Sequence, residues 1–267
     1  MKSEKINRIG EENYTKKELG NYKMKIVEYN NAGDIWIEFQ DKYKIKIHTT
    51  YKHFKDGGVK NPYHPDVYDI GYLGQGEYKA YIRSGVPTLA YSVWQHMLQR
   101  CYDSYWMNKH LTYIDCSVCK EWHNFQNFAK WFYENYYEVR EERMHLDKDI
   151  LYKDSKIYSS KTCIFVPQRI NVLFTKSEKI RGKYPIGVSY HKNKDMLVAQ
   201  CSIFNEKIGK KKPKHLGYFS LNKPFQAFYC YKQFKENYIK QIADEYKDLI
   251  PKKLYDAMYR YEVEIND

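Results

Sequence analysis

The spacing of hydrophobic residues changes twice along this chain of 267 residues, and these changes constrain its fold more than any other feature. Up to about residue 80, short runs rich in β-branched and aromatic residues partly alternate with polar ones, which is typical of β-strands. From about residue 88 hydrophobic residues recur at helical spacing, and from about residue 184 strand-like runs return before a long helical pattern. The sequence therefore predicts an α+β fold with three domains, at residues 1–85, 86–178 and 179–267.

The first segment predicts a small β-barrel of the SH3-like type. Three runs are typical of strands, at residues 22–29, 34–39 and 43–47. Asn30, Asn31 and Gly33 lie between the first two runs, as a hairpin turn requires. A last strand over 70–74 would complete the barrel. The exposed Tyr and Lys residues of such a barrel could add nucleic-acid contacts, or the barrel could bind a protein partner, and the sequence does not choose between the two.

The second segment predicts two amphipathic helices and then a compact unit. Hydrophobic residues recur at helical spacing over 91–101 and again over 122–132. Extended stretches follow at 144–151 and 157–166, with a turn between them. Pro167 favours the first turn of a short helix because its φ is fixed. The loops of such a strand, loop, strand and helix unit can hold a metal ion.

The third segment predicts a three-stranded sheet packed against a helix. Its strand-like runs lie at residues 186–190, 196–204 and 215–219. A helical pattern follows over 224–246, and a shorter one over 251–261. The Lys-rich run 210–214 lies between the second and third runs, so we expect it to form a hairpin loop.

The positive charge of the chain is concentrated in one place. The formal net charge is +12 at pH 7, and residues 176–223 contribute +9 of it, with 12 Lys or Arg against three acids. A basic patch of this kind indicates an anionic polymer as the partner. The charge predicts binding and is silent on catalysis.

The distribution of apolar and Cys residues predicts a compartment. No run approaches the length of about 18 apolar residues that a membrane span needs, and the N-terminus lacks the apolar stretch of a signal peptide. We therefore expect a cytoplasmic protein without a membrane partner. The six Cys residues are too scattered for a disulfide framework, so a reducing compartment would keep them as thiols or metal ligands.

Several spaced stretches of the middle segment agree with one family. Residues 145–150 read His-Leu-Asp-Lys-Asp-Ile, and residues 158–167 read Tyr-Ser-Ser-Lys-Thr-Cys-Ile-Phe-Val-Pro, followed by Gln-Arg-Ile-Asn at 168–171. Upstream, Trp-x-x-Met-x-x-Arg-Cys-Tyr lies at 94–102 and Val-Cys-x-Glu-Trp at 118–122. In this order the stretches resemble the HNH, or ββα-metal, nucleases that are common in phage genomes and occur among rare-cutting restriction enzymes.

The resemblance covers roughly residues 88–176 and implies a metal-dependent DNA endonuclease of the phage or homing type, working inside a bacterial host cell. It assigns Asp147 and Asn171 as the ligands of one Mg²⁺ or Mn²⁺ ion. A nuclease of this kind needs a cation to neutralise charge that develops at the scissile phosphate. Oxygen ligands suit Mg²⁺, which takes only one or two groups from a protein.

Two positions depart from the family pattern. Lys148 stands where the family usually has its His base, or Arg in some branches, and Lys titrates near ~10.4, so we expect Lys148 to contact the phosphate instead. Thr162 replaces the Asn that braces the loop between the strands. His145 lies two residues before Asp147 and shares its face of a strand, which makes His145 the first candidate for the catalytic base.

The same residues also have a purely structural interpretation. His145 and Asp147 would then be ordinary polar residues of an exposed strand, and Asn171 would be a helix cap. His110 and His123 are the remaining candidates for the base.

The Cys116-x-x-Cys119 spacing predicts a structural zinc site, because it lets two thiolates reach one tetrahedral ion. Cys101 and Cys163 would complete a four-Cys site if the first helix and the second strand converge. The alternative is that these residues are buried free thiols, since Cys is a common small hydrophobic core residue.

The third segment carries a second resemblance. Tyr-Pro-Ile-Gly-Val-Ser-Tyr at 184–190, Ala199 in a strand, His-Leu-Gly-Tyr-Phe at 215–219 and a helix through Ala227 and Tyr231 look like the Apetala-type, or ethylene-response-factor, DNA-binding domain. In that family a three-stranded sheet enters the major groove and the helix packs behind it. The resemblance therefore implies double-stranded DNA as the partner.

Basic and aromatic residues of this segment are the candidates for DNA contact. A sheet can lie in a major groove, and contacts from Lys and Arg to phosphates position a protein without reading sequence. The candidates are Arg181, Lys183, Tyr190, Lys192, Lys194, Lys210, Lys211, Lys212 and Lys214.

Three functions follow from these patterns. The first is sequence-directed binding and metal-dependent hydrolysis of duplex DNA. The second is a decayed HNH-like protein that acts as a DNA-binding regulator or as a phage factor against host defence. The third is RNA binding, which the charge and the aromatic residues also allow.

Overall fold

A computed structural model describes residues 7–175, 183–205 and 210–265. The chain divides into two compact units, Met1–Tyr133 and Glu134–Asp267. The general α+β class is confirmed, since small antiparallel sheets occur together with separate helices. The division between the units lies inside the segment 86–178, which the sequence predicted to be one domain.

The first unit begins with an antiparallel sheet. Its strands are β1 (Glu12–Tyr14), β2 (Lys23–Asn31), β3 (Asp34–Phe39) and β4 (Lys46–Thr49), in the order β1-β2-β3-β4. Alternate residues of β3, Ile35, Ile37 and Phe39, are fully buried, as expected for a strand with one face in the core. Helix α1 (Tyr51–Lys55) places Phe54 against them.

The predicted SH3-like barrel was wrong. Among the described residues the sheet stays open, with β1 and β4 at its edges. The run 70–74, predicted as the last strand, makes only isolated bridges. Tyr68 and Asp69 just before it adopt left-handed backbone with φ of 53° and 58°, and this conformation interrupts an extended chain.

The rest of the first unit is mainly helical. Its elements are β5 (Tyr81–Arg83), β6 (Val86–Pro87), α2 (Leu89–Tyr102), α3 (Ser104–Lys109), β7 (Ser117–Val118) and α4 (Phe125–Asn135), whose last turn crosses the division after Tyr133. Short 3-10 helices lie at Lys17–Leu19, Leu111–Tyr113 and Lys120–His123. Thr88 caps α2, since its side chain accepts a hydrogen bond from the Tyr91 amide at 3.2 Å. Trp94 of α2 is fully buried, and its indole Nε1 donates to the Trp122 carbonyl at 2.6 Å.

The second unit contains two small sheets and the longest helix. Its elements are β8 (Met144–Asp147), β9 (Ile157–Tyr158), β10 (Ile164–Pro167), α5 (Gln168–Asn171), β11 (Val188–His191), β12 (Met196–Asn205), β13 (Lys210–Phe219), α6 (Pro224–Tyr246) and α7 (Lys252–Arg260), with a 3-10 helix at Lys192–Lys194. Strands β8 and β10 form an antiparallel pair, and β11, β12 and β13 form an antiparallel sheet in that order. Helix α6 occupies the predicted range 224–246, with Pro224 at its first turn.

The Lys-rich run 210–214 does not form the predicted hairpin loop. It is the first half of β13, where Lys211 pairs with Phe204 and Lys214 pairs with Cys201. Strand β13 is an edge of its sheet, and Lys and Pro are typical of edge strands because they discourage pairing with another chain. The same composition is also typical of loops, which is why the pattern misled.

Helix α6 contributes to both hydrophobic cores of the second unit. Toward its N-terminus, Ala227, Phe228 and Tyr231 pack with buried residues of β11 and β12. Toward its C-terminus, Ile239, Ile242 and Tyr246 pack with buried residues of β10 and α5. One helix therefore joins the residues on both sides of the predicted domain boundary at 178 and 179.

Replacing Gly187 by Ala is expected to destabilise the second unit. Gly187 has a left-handed φ of +74°, and a Cβ there would lie 2.2 Å from ring carbons of Tyr231. Backbone strain and overpacking together should cost about 2 kcal/mol or more in the free energy of unfolding. Urea denaturation measures this loss.

Gly85→Ala is the matched control for Gly187→Ala. Gly85 has nearly the same φ, +75°, but a Cβ there meets nothing within 4 Å. The control therefore carries the backbone strain without the clash. Equal losses in the two variants would contradict the tight contact between Gly187 and Tyr231.

Candidate functional site

The strand, loop, strand and helix of the second unit place two titratable side chains on one face. In the antiparallel pair of β8 and β10, Asp147 lies opposite Ile164 and His145 lies opposite Val166. Leu146, between the two, is buried. Because successive residues of a strand point to opposite faces, His145 and Asp147 share the face away from Leu146, as the sequence indicated.

The carboxylate of Asp147 is held by its own loop. Its Oδ1 accepts hydrogen bonds from the amides of Asp149 and Ile150, both at 2.8 Å. Its Oδ2 makes no hydrogen bond with a described residue. Burial raises the pKa of Asp147, and the amide of Ile150 opposes this shift. The residue thus presents one oriented oxygen.

His145 is positioned by the first residue of the helix that follows. Its Nε2 forms a hydrogen bond with the side-chain oxygen of Gln168. With Nε2 as the donor, a neutral ring carries its proton there, and Nδ1 is the nitrogen that can accept one. The backbone N–H of Gln168 donates to the backbone carbonyl of Arg143 at 2.9 Å. No pattern in the sequence links Gln168 to His145, because only the fold brings these two residues together.

Lys148 is buried, with 5% of its surface exposed. Its ammonium group donates to the Asp149 carboxylate at 2.7 Å and to the Ser155 carbonyl at 2.5 Å. These bonds close the loop between β8 and β9. The phosphate contact that we expected of Lys148 would require the side chain to leave both partners.

Thr162 braces the loop between β9 and β10. Its hydroxyl donates to the Ile157 carbonyl at 2.6 Å and accepts from the Ser159 amide at 3.1 Å. The short Thr side chain thus makes the bracing contacts that we expected from an Asn at this position.

Asn171 ends α5, which packs against both β8 and β10. Its side chain makes no hydrogen bond with any described residue. Arg169 fastens the same helix to α6 through an ion pair with Glu245 at 2.7 Å. The helix therefore holds Asn171 beside the strand pair, while its convergence with Asp147 on one cation stays a prediction.

The predicted zinc ligands, all within the described residues, form no disulfide bond. Cys101, Cys116 and Cys119 belong to the first unit and Cys163 to the second. Burial raises the pKa of the Cys119 thiol to about 11, which favours the neutral form at pH 7. In the described ranges, no three His, Cys, Asp or Glu side chains form a group that could hold a metal ion. The zinc site stays a prediction.

Most of the predicted DNA-binding side chains are exposed. Among the predicted residues, the lysines with exposed side chains are Lys183, Lys192, Lys194, Lys211, Lys212 and Lys214. Tyr190 is 47% exposed, and its hydroxyl donates to Asp195 at 2.7 Å. The backbone of Lys210 begins β13, whereas Arg181 lies outside the described residues.

The lysines of β13 do not form one open face of the sheet. Lys214 lies opposite Cys201, whose side chain is buried against α6, so Lys214 is on the helix side. Its ammonium group lies 4.9 Å from the centre of the Phe234 ring. Lys211 lies opposite Phe204, at an alternate position of the strand, and its ammonium group donates to the Val172 carbonyl at 3.3 Å. The predicted basic surface is therefore not a single flat face.

An aromatic cluster covers the face of the sheet away from α6. The Tyr218 ring contacts His191 and His215, with centroid distances of 5.4 and 4.3 Å. The Lys194 ammonium lies 3.7 Å from the centre of the Tyr218 ring. Nδ1 of His191 is buried and makes no hydrogen bond within the described part of the chain. His215 and Tyr218 of β13 and His191 of β11 lie in or directly beside strand-like runs of the sequence, and this signal for an aromatic cluster was missed.

Comparison of the chain with protein-family models, with curated proteins and with solved structures found no match. Among the described residues, no helix combines the length and the hydrophobicity needed to span a lipid bilayer.

Proposed function

We propose that this protein binds duplex DNA through the sheet of the second unit and hydrolyses a phosphodiester bond with Mg²⁺ or Mn²⁺ at the pair of strands β8 and β10. The observation that carries the proposal is the arrangement of His145 and Asp147 on one strand face, followed directly by the helix that ends at Asn171. This order of elements supports the resemblance to ββα-metal nucleases.

The residues present fit a magnesium ion. Oδ2 of Asp147 and the side-chain oxygen of Asn171 are hard oxygen ligands, and neither accepts a hydrogen bond from a described residue. They would hold the ion, which would supply positive charge at the scissile phosphate. The amides of Asp149 and Ile150 fix the orientation of the carboxylate.

His145 is the proposed base. Gln168 orients its ring, and Nδ1 would accept a proton from the attacking water. The proposal requires only that the ring stays neutral before the reaction. Lys148, buried among its partners, supports the loop and takes no part in the proton transfer.

The proposed DNA contact is tested by removing charge from the sheet. Replacing Lys192, Lys194, Lys212 and Lys214 by Gln should weaken binding of duplex DNA at low salt. If all four contact phosphates, the slope of log K against log salt should fall in magnitude by roughly 3 to 4. Fluorescence anisotropy with a labelled duplex at several salt concentrations measures this slope.

A variant with the same loss of charge in the first unit is the control. Lys16, Lys17, Lys52 and Lys60 are exposed and can be replaced by Gln together. This variant should keep most of the salt slope. Equal effects of the two quadruple variants would show that binding depends on net charge and not on the sheet.

A binding protein without nuclease activity is the second candidate. The burial of Lys148 at the position of the family's base favours it, because no exposed side chain replaces the base there. Such a protein would act as a DNA-binding regulator or as a phage factor against host defence. A supercoiled plasmid that stays intact at micromolar protein with Mg²⁺ and Mn²⁺ would decide for this candidate.

RNA binding is distinguished by competition. Unlabelled duplex DNA should displace the labelled duplex better than a structured RNA of equal length at the same salt concentration. A better competitor RNA would reject duplex DNA as the partner.

A further inference from the structure

A cavity of about 640 Å³ lies in the second unit beside an uncovered edge of β12. Strand β11 pairs with β12 only over Met196–Ala199, whereas β12 continues to Asn205. Beyond Ala199 the cavity is bounded by residues 172–175, which follow α5, and by residues 183–187, which precede β11. Its size is within the range of about 300 to 1,000 Å³ that is typical of small-molecule sites.

Three lysines line this cavity, and none of the described residues that line it is acidic. Lys183 and Lys211 come from its exposed rim. Lys235 comes from α6 on the inner side and makes no hydrogen bond or ion pair with a described residue. The positive charge of the cavity is therefore not neutralised by a carboxylate of the described chain.

Lys235 differs from the other two lysines of the cavity because its surroundings disfavour its charge. Burial lowers its pKa, the neighbouring Cys201 opposes this shift, and the charge of Lys211 adds to it. An ammonium group that is both desolvated and without an ion partner is unfavourable. The position of Lys235 beside the cavity, with no ion partner among the described residues, is explained if an anion enters the cavity and pairs with its ammonium group.

Neutral donors accompany the lysines. The hydroxyls of Thr175 and Ser202 and the amide of Gln200's side chain line the cavity. The backbone amide of Gln200 donates to the Gly187 carbonyl at 2.9 Å, toward the β11 edge. Since amides alternate between the two edges of a strand, the Ser202 amide faces the same edge. Hydroxyl and amide donors next to cations are the groups that bind phosphate oxygens.

We propose that this cavity binds a phosphate group, held by Lys235 and Lys211 and by the donors along the β12 edge. The ligand is either a free phosphate compound or the terminal phosphate of a nucleic-acid strand, and both present the same chemistry. The proposal does not rest on DNA cleavage, because neither lysine belongs to the proposed catalytic residues.

The test is the thermal stability and binding of Lys235→Met with inorganic phosphate as the probe. Inorganic phosphate at about 10 mM is roughly ten times the concentration of a millimolar Kd. At this concentration it should raise the Tm of the wild type above the Tm in chloride of equal ionic strength. Lys235→Met should lose this rise, and titration calorimetry should show phosphate binding weakened at least about 10-fold. Without phosphate the variant should be at least as stable as the wild type, because it loses a partly buried charge that has no ion partner among the described residues.

Two further variants keep the test decisive. Lys240→Met removes a lysine of the same helix that does not line the cavity, and it should bind phosphate as the wild type does. Lys211→Gln removes an exposed cavity lysine, so it tests the site even if Lys235→Met fails to fold. Its phosphate affinity should also fall.

A pair of tetranucleotides, one with a 5′-phosphate and one with a 5′-hydroxyl, identifies the source of the phosphate. Tighter binding of the phosphorylated strand than of inorganic phosphate would assign the cavity to a strand end. Equal binding of the two tetranucleotides, with retained binding of inorganic phosphate, would assign it to a free phosphate compound. The proposal is overturned if neither inorganic phosphate nor the 5′-phosphate binds the wild type, or if binding survives in both Lys235→Met and Lys211→Gln.

Discussion

Replacement of Asp147 by Asn is expected to reduce DNA nicking by roughly 10²-fold or more while duplex binding is retained. The substitution keeps an oxygen for the amides of Asp149 and Ile150, so the loop should stay folded. It removes the negative charge that would hold the divalent ion. The measurement is the rate at which supercoiled plasmid is nicked in Mg²⁺ or Mn²⁺, with anisotropy of a labelled duplex for binding.

Asp248→Asn is the matched control for this variant. Asp248 is exposed in the same unit and undergoes the same change of charge. It should nick DNA as the wild type does. Full activity of Asp147→Asn would reject Asp147 as a ligand, and an inactive wild type in both metals would leave DNA binding as the function.

Of the variants proposed for stability measurements, Trp94→Ala is expected to lose the most, about 3–5 kcal/mol in the free energy of unfolding of the first unit. The Trp94 side chain is fully buried, and its ring packs against Tyr91 and Phe125 at centroid distances of 5.6 and 5.5 Å. The truncation leaves a cavity and also leaves the Trp122 carbonyl without its donor. Urea unfolding followed by circular dichroism measures the change in midpoint.

Trp36→Ala is the comparison for Trp94→Ala. Trp36 lies in the same unit but is 37% exposed, so its truncation should cost much less. Trp94→Phe should lie between the two, because it keeps most of the ring volume and loses the hydrogen bond to Trp122. A similar midpoint for both alanine variants would contradict the central position of Trp94 in the core.

Local patterns in the sequence predicted the elements better than their assembly. The range of α6 followed from its periodic apolar residues and from Pro224, and the range of β3 followed from alternation and the turn at Asn31 and Gly33. These signals involve neighbouring residues. Whether a sheet closes into a barrel depends on contacts between residues distant in sequence. The left-handed backbone at Tyr68 and Asp69 also has no strong signal in the local sequence.

The candidate site was predictable only in part for the same reason. Alternation along a strand places His145 and Asp147 on one face without any knowledge of the fold. The contact between His145 and Gln168 needs the pairing of β8 with β10. Burial of Lys148 was not foreseen, because a lysine in a polar stretch is usually solvated. Lys235 likewise reads as a solvated residue of α6 until the cavity is seen.

The continuity of α6 between the two cores has a consequence for where the proposed enzyme would cut. From Phe228, beneath the sheet, to Ala243, beside β10 and α5, an uninterrupted helix rises roughly 22 Å, and it cannot be stretched or shortened. A sheet bound at one DNA sequence would therefore hold the β8 and β10 strands at a constant offset along the duplex. Cleavage would fall at one fixed number of base pairs from the bound sequence, and insertion of a helical turn into α6 would move the cut.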